Sequence, residues 1–198
     1  MDKELAKWQK EIEDLELDLK LEEADVIEAF EQHKHNLTES VNSFTKHAGE
    51  MLGEGSNLLQ GKLDELKVQL ALGKAESKDA FEEQRKELDK ALHSASEEFE
   101  KVKGEAGENV GKLKEEFDEQ MNHFKTRLDM FRLHFHLGMA EAKEEYEEKK
   151  KDLSQELDKI KEKVDGAEDK AENRLEDFGK EMGEAFSHFQ KAVKGLFD

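Results

Sequence analysis

The chain has 198 residues, 35% of them hydrophobic and 42% charged, and its 51 acidic side chains against 32 basic ones give a net charge of −19. So small an apolar share argues against a wide, thick core, and so negative a surface repels phosphate backbones and anionic membranes, which excludes nucleic acid as a natural partner. Cysteine is absent, so disulfides, thiolate metal sites and thiol nucleophiles are excluded as well.

Proline is also absent, and Ala, Leu, Glu and Lys dominate, the composition of long helices. The opening Met1-Asp2-Lys3-Glu4-Leu5 lacks the apolar run of a signal peptide, and no stretch approaches the roughly 20 apolar residues that span a bilayer. A cytoplasmic location is therefore expected.

Apolar residues recur at alternating steps of three and four, which places them on one helical stripe. The first predicted helix covers about 3–48, with Leu5, Trp8, Ile12, Leu15 and Leu19, then Val26, Phe30, Leu37, Val41, Phe44 and Ala48; its rhythm slips between Glu22 and Phe30. Gly49, Gly53 and Gly55 with Ser56-Asn57 predict a turn, and Ser56 or Asn57 can cap the next helix. The second helix, about 57–103, carries Leu59, Leu63, Leu66 and Leu70, then Leu88, Leu92, Ala95, Phe99 and Val102. Gly104, Gly107 and Gly111 mark the second turn. The third helix, about 108–165, has the strongest stripe: Val110, Leu113, Phe117, Met121, Phe124, Leu128, Phe131 and Phe135, continuing through Leu153, Leu157, Ile160 and Val164. The fourth, about 167–197, keeps step through Gly166. Either it continues the third as one rod of about 90 residues, ~135 Å at the α-helical rise, or Gly166 turns it back.

One segment occurs three times: Ile12 to Glu31, Leu63 to Glu82 and Leu128 to Glu147. Each copy has four apolar residues at alternate positions, then a small-residue step, an acid, and an aromatic followed by Glu. Leu21, Leu72 and Leu137 align, as do Ala24, Ala75 and Ala140, and Phe30, Phe81 and Tyr146. Alternation is formally a strand signal, but the helix-forming flanks and missing turn residues favour helix, on which the pattern makes a broad apolar face. The midpoint between Leu72 and Leu137 falls at Gly104, and that between Leu21 and Leu72 falls just before Gly49. An up-down-up arrangement would therefore bring all three copies into one central waist: Leu15, Leu17, Leu19 and Leu21; Leu66, Val68, Leu70 and Leu72; Phe131, Leu133, Phe135 and Leu137.

The expected fold is all-α: an elongated antiparallel three-helix bundle, partly four-helical if the tail turns back, of long coiled-coil-like helices forming one unit over 1–198. The tail residues Phe178, Met182, Phe186, Phe189, Val193 and Leu196 are the candidate interaction face, with bundle core as the competing reading. Residues 167–198 hold eight acids and five bases, the wrong sign for anionic lipid, although a neutral hydrophobic surface or partner helix stays open.

Histidine–carboxylate steps at Glu31/His35, Glu119/His123 and Glu184/His188 have helical metal-ligand spacing, but with so many acids chance pairs are abundant. The acidic triplets Asp25/Glu28/Glu31, Glu76/Asp79/Glu82 and Glu141/Glu144/Glu147 read as solvated faces paired with lysines, because calcium loops need a flexible Asp/Gly turn. His134 and His136, inside the third copy, are candidates for pH-sensitive assembly. No nucleophile elbow, phosphate loop or dinucleotide fingerprint occurs. The expectation is a non-enzyme without metal or cofactor that self-associates or holds a helical protein partner. The alternatives are an exchangeable amphipathic coat on a lipid or hydrophobic surface, and a stress protectant that folds conditionally.

Overall fold

The computed structural model describes residues 2–21, 23–52, 57–106, 108–137, 143–166 and 175–195. Among the described residues it is all-helical: α1 (Asp2–Leu19), α2 (Glu23–Leu52), α3 (Asn57–Leu70), α4 (Lys78–Ala106), α5 (Glu108–Leu137), α6 (Lys143–Asp165) and α7 (Leu175–Lys194). The alternating leucines therefore lie on helix rather than strand. Both predicted glycine turns separate helices, α2 from α3 and α4 from α5. At the third glycine position α6 ends at Asp165, and the Gly166 amide closes its last turn on Glu162 O at 3.0 Å. Residues 167–174 of the fourth predicted helix lie outside the described residues.

Helix ends fall inside the three repeat copies, with described non-helical residues between them in the first two. In the first copy α1 ends at Leu19 and α2 begins at Glu23; in the second α3 ends at Leu70 and α4 begins at Lys78; in the third α5 ends at Leu137 and α6 begins at Lys143. The helices expected over 3–48 and 57–103 are divided there, whereas residues 138–142 of the helix expected over 108–165 lie outside the described residues. In the first copy the Lys20 amide is shared between Glu16 O (3.2 Å) and Leu17 O (3.0 Å), and Leu21 N reaches Asp18 O at 3.3 Å. That tightening from α-type to i,i+3 bonds is how a helix ends without glycine. In the second copy the same happens at Leu72 N to Gln69 O (3.3 Å), and Ser77 starts α4 by accepting the Ala80 amide on its hydroxyl at 3.2 Å, an N-cap.

The chain divides into two units: a terminal unit, Met1–Val26 with Asp129–Asp198, and a middle unit, Ile27–Leu128. The boundaries fall within α2 and α5.

In the middle unit, contacts fix the directions of four helices. Gln60 lies near Gly49, and Lys34 bonds Leu72, so α3 runs back along α2. Phe81 meets Phe30 and Gln84 meets Lys34, so α4 runs with α2. Ser96 bonds Asp118, and Glu100 pairs with Lys114, so α5 returns along α4. The core between them is aromatic. Phe30 and Phe81, equivalent residues of the first two copies, meet edge-on with centroids 5.1 Å apart, while Phe117 touches Phe44 at 5.3 Å and Phe99 at 4.7 Å.

In the terminal unit, Ile12, Leu15 and Leu19 of α1 join Met130 and Leu133 of α5, Leu153, Leu157, Ile160 and Val164 of α6, and Met182, Phe186, Phe189 and Val193 of α7 in one buried cluster. Trp8 stacks on Phe186 with centroids 4.9 Å apart.

Candidate functional site

Each unit uses a buried basic side chain to hold the carbonyl end of a helix that a repeat copy has cut short. A helix leaves its last four carbonyls unsatisfied, and inside protein such groups need donors.

In the middle unit the donor is Lys34 of α2, which is 2% exposed although it carries a charge. It occupies the gap in the stripe between Phe30 and Leu37, one turn beyond the aromatic. An ammonium without water must use all three donors, and Lys34 does so: Glu31 Oε1 at 2.9 Å, Leu72 O at 2.7 Å and Gln84 Oε1 at 3.2 Å. Its charge also lies 5.1 Å from the centre of the Phe30 ring. Gln84 completes the clamp by donating Nε2 to Gly73 O at 2.6 Å. Two successive carbonyls of the α3–α4 turn are thus gripped by α2 and α4. Beside them is an open depression of about 400 Å³ lined by Leu72, Gly73, Lys74, Ala80, Glu83, Gln84 and Glu87.

In the terminal unit the donor is His134 of α5, 3% exposed, whose Nε2 donates to Asp18 O in the last turn of α1 at 2.8 Å. Burial pushes the His134 imidazole below its ordinary value and the charge of Lys150 on α6 acts the same way, while the bond to the Asp18 backbone and the Asp18 carboxylate oppose them. Nearby, Lys161 donates to Glu16 Oε1 at 3.1 Å and holds that carboxyl below the usual range. The middle unit has a second polar contact, half-buried, in which Arg127 Nη1 donates to His33 Nδ1 at 2.8 Å.

The residues singled out from sequence are distributed unevenly. Of the waist set, Leu15, Leu19, Leu66, Leu70, Phe131 and Leu133 are buried, and Leu21 and Phe135 are half-buried; the side chain of Leu137, like that of His136, lies outside the described residues. Leu17, Val68 and Leu72 are 64%, 62% and 40% exposed. Leu15, Leu19 and Leu133 share the terminal cluster, whereas Leu66 and Leu70 belong to the middle unit. On the tail, Met182, Phe186, Phe189 and Val193 are buried in the terminal cluster and form core instead of a free surface; the Phe178 side chain and Leu196 lie outside the described residues.

Among the described residues no three His, Asp or Glu side chains gather as a metal site. His35 instead faces Glu39 at 3.6 Å, Glu31 serves Lys34, and Glu82 serves Arg85 at 3.1 Å. Among the described residues, too, no helix is long and apolar enough to cross a membrane. Sequence reading missed Lys34 and Gln84. The signal for Lys34 was its place in the apolar stripe, four residues after Phe30 and three before Leu37.

The chain therefore belongs to the all-helical proteins, with two polar helix-end clamps as its most organised chemistry. Compared with known proteins, it matches no protein family, no curated protein and no solved structure.

Proposed function

We infer that this chain is a non-enzymatic interaction protein, built as antiparallel bundles of coiled-coil-like helices, that self-associates or holds a partner helix through apolar faces its own cores do not use. One observation carries this reading. Leu17 and Val68 hold the same position in the first and second repeat copies, and both are about two-thirds exposed on helices whose opposite faces are already buried. A helix that is apolar on two sides has more apolar surface than its own core consumes, and such surplus in contact with water marks contact sites. Nucleic acid is a poor partner for a charge of −19.

Sedimentation equilibrium with circular dichroism tests it. A helical species that grows heavier with concentration, or that captures an amphipathic helix, supports the reading. A helical monomer that binds neither is incompatible with it.

A second reading, an exchangeable coat on a neutral lipid or hydrophobic surface, draws support from α7, where Met182, Phe186, Phe189 and Val193 make one continuous apolar face with Lys191 and Lys194 in the last turn. It predicts that neutral vesicles bind the chain and expose Trp8, which otherwise stacks on Phe186.

A further inference from the structure

The break between α1 and α2 has no local cause. From Ile12 to Glu31 the chain is built from Ile, Leu, Val, Ala, Phe, Glu, Asp and Lys alone, with no glycine, proline, serine or asparagine to stop a helix. Charge argues against an end here as well. The last turn of α1 holds Glu16 and Asp18 and no basic residue, although the carbonyl end of a helix favours cations. The second copy differs, since Gly73 lies in its turn and Ser77 caps the helix that follows.

The first break turns on one acceptor. In an unbroken helix the Asp18 carbonyl would take the amide four residues on. Here it takes the Leu21 amide, three residues on, at 3.3 Å, and Nε2 of His134 on α5 at 2.8 Å. A carbonyl only accepts, so Nε2 carries the proton and the neutral ring keeps its lone pair on Nδ1. His134 thus supplies the bond that the helix's own amide would otherwise make.

We propose that the joint between α1 and α2 is an acid-operated switch. With His134 neutral, its Nε2–H holds the Asp18 carbonyl and the two helices stay apart. When Nδ1 takes a second proton the ring leaves the interior, the carbonyl turns to the amide four residues on, and α1 runs into α2 as one helix. The switch goes beyond the self-association reading and does not depend on it.

The surroundings of the ring set the direction. Met130 lies one turn before His134 on α5, and Leu15 and Leu19 of α1 belong to the same buried cluster, which α7 closes with apolar side chains. The charged groups that act on the ring are Lys150 of α6 and Asp18 of α1. Burial is the largest influence and disfavours the charged ring; the Asp18 backbone bond opposes it, Lys150 adds to it, and the Asp18 carboxylate opposes it last. The ring is therefore harder to charge inside than in water. The broken form is complete above the ordinary value of 6.5 and is lost as pH falls below it toward the depressed folded value. The two forms lie close in free energy because one bond to the Asp18 carbonyl is exchanged for another, and the residues that change shape are helix formers.

NMR of the full chain from pH 7 to pH 5 tests the switch, because the backbone carbon shifts of Lys20 and Leu21 distinguish turn from helix while the His134 ring is followed in the same samples. Both carbons are expected to move to helical values together with the ring, with a midpoint below 6.5. His134→Gln keeps an N–H for Asp18 O but cannot charge, and is expected to hold the turn down to pH 5. His134→Leu removes the donor, and is expected to show the helical shifts already at pH 7. Fluorescence of Trp8, stacked on Phe186, shows whether the terminal unit stays folded. Should His134→Leu unfold it, the comparison with His134→Gln alone decides. Carbon shifts that stay at turn values while His134 titrates, or that move equally in His134→Gln, overturn the proposal. So does a loss of helical shifts on both sides of Lys20 together with the Trp8 signal, since acid would then merely unfold the unit.

Discussion

The two units use the same repeated segment differently. In the middle unit the second copy leaves Val68 62% exposed, whereas Leu133, its equivalent in the third copy, is fully buried in the terminal unit. The residue type and its local spacing are nearly the same. What differs is the surroundings: Leu133 sits on α5 in a cluster that draws on α1, α6 and α7, while α3 is covered on one side only. An apolar residue at a given helical phase is thus an offer of contact, and the number of neighbouring helices decides whether it is taken up. The clamps show the same divergence. Both units hold a truncated helix end from a basic side chain, but the middle unit uses a lysine with three partners and the terminal unit a histidine whose charged form burial disfavours.

The sharpest way to break the comparison is to empty one core and not the other. Phe117→Ala removes the ring that bridges Phe44 and Phe99, and is expected to destabilise the middle unit by about 3–5 kcal/mol, measured by urea unfolding followed through circular dichroism. Fluorescence of Trp8, which lies in the terminal unit, follows that unit in the same samples. A cost near zero would show that Phe117 is not core.

Next comes the clamp in the middle unit. Lys34→Ala leaves the Leu72 carbonyl and the Gln84 amide without their donor and is expected to cost about 1–3 kcal/mol in the same titration. A neutral outcome would mean that water serves those groups as well as the ammonium does. Ser77→Ala removes the cap of α4 and is expected to cost about 1 kcal/mol, with Ser77→Gly costing only a few tenths.

The smallest effect is the pH dependence of the terminal unit. His134 is depressed in the folded state, so the unfolded chain takes up its proton first. Stability is then complete above the ordinary value of 6.5 and is lost as pH falls below it toward the depressed folded value. Trp8-monitored melting between pH 7 and pH 5 is expected to show this loss, and His134→Gln, which keeps a donor for Asp18 O, is expected to flatten it. An unchanged slope in His134→Gln would assign the pH dependence to other groups.

Much of this fold was legible in the spacing of apolar residues and glycines. The stripes of Leu59, Leu63, Leu66 and Leu70, and of Val110, Leu113 and Phe117, are buried as their spacing requires, and both glycine clusters separate helices. The breaks inside the repeats were not legible, for a physical reason. The segment around Lys20 has no glycine or proline, so its end is set by i,i+3 bonds and by His134, a residue more than a hundred positions away. The α3–α4 turn contains Gly73, but its form depends on Lys34 and Gln84 gripping its carbonyls. Local propensity sees neither partner. The tail was read as an apolar face that is either an interaction surface or bundle core, and Met182, Phe186, Phe189 and Val193 are core; spacing shows where apolar side chains point and not what covers them.

The central claim is that the first two repeat copies are places where a helix ends and another begins. Amide hydrogen exchange across 63–88 tests it most directly. Slow exchange through Leu70, fast exchange over 73–77 and slow exchange again from Phe81 is the predicted pattern, with Lys34→Ala speeding exchange at the flanks of the turn. Uniform protection from Leu63 to Leu88 would mean one unbroken helix, and would contradict it.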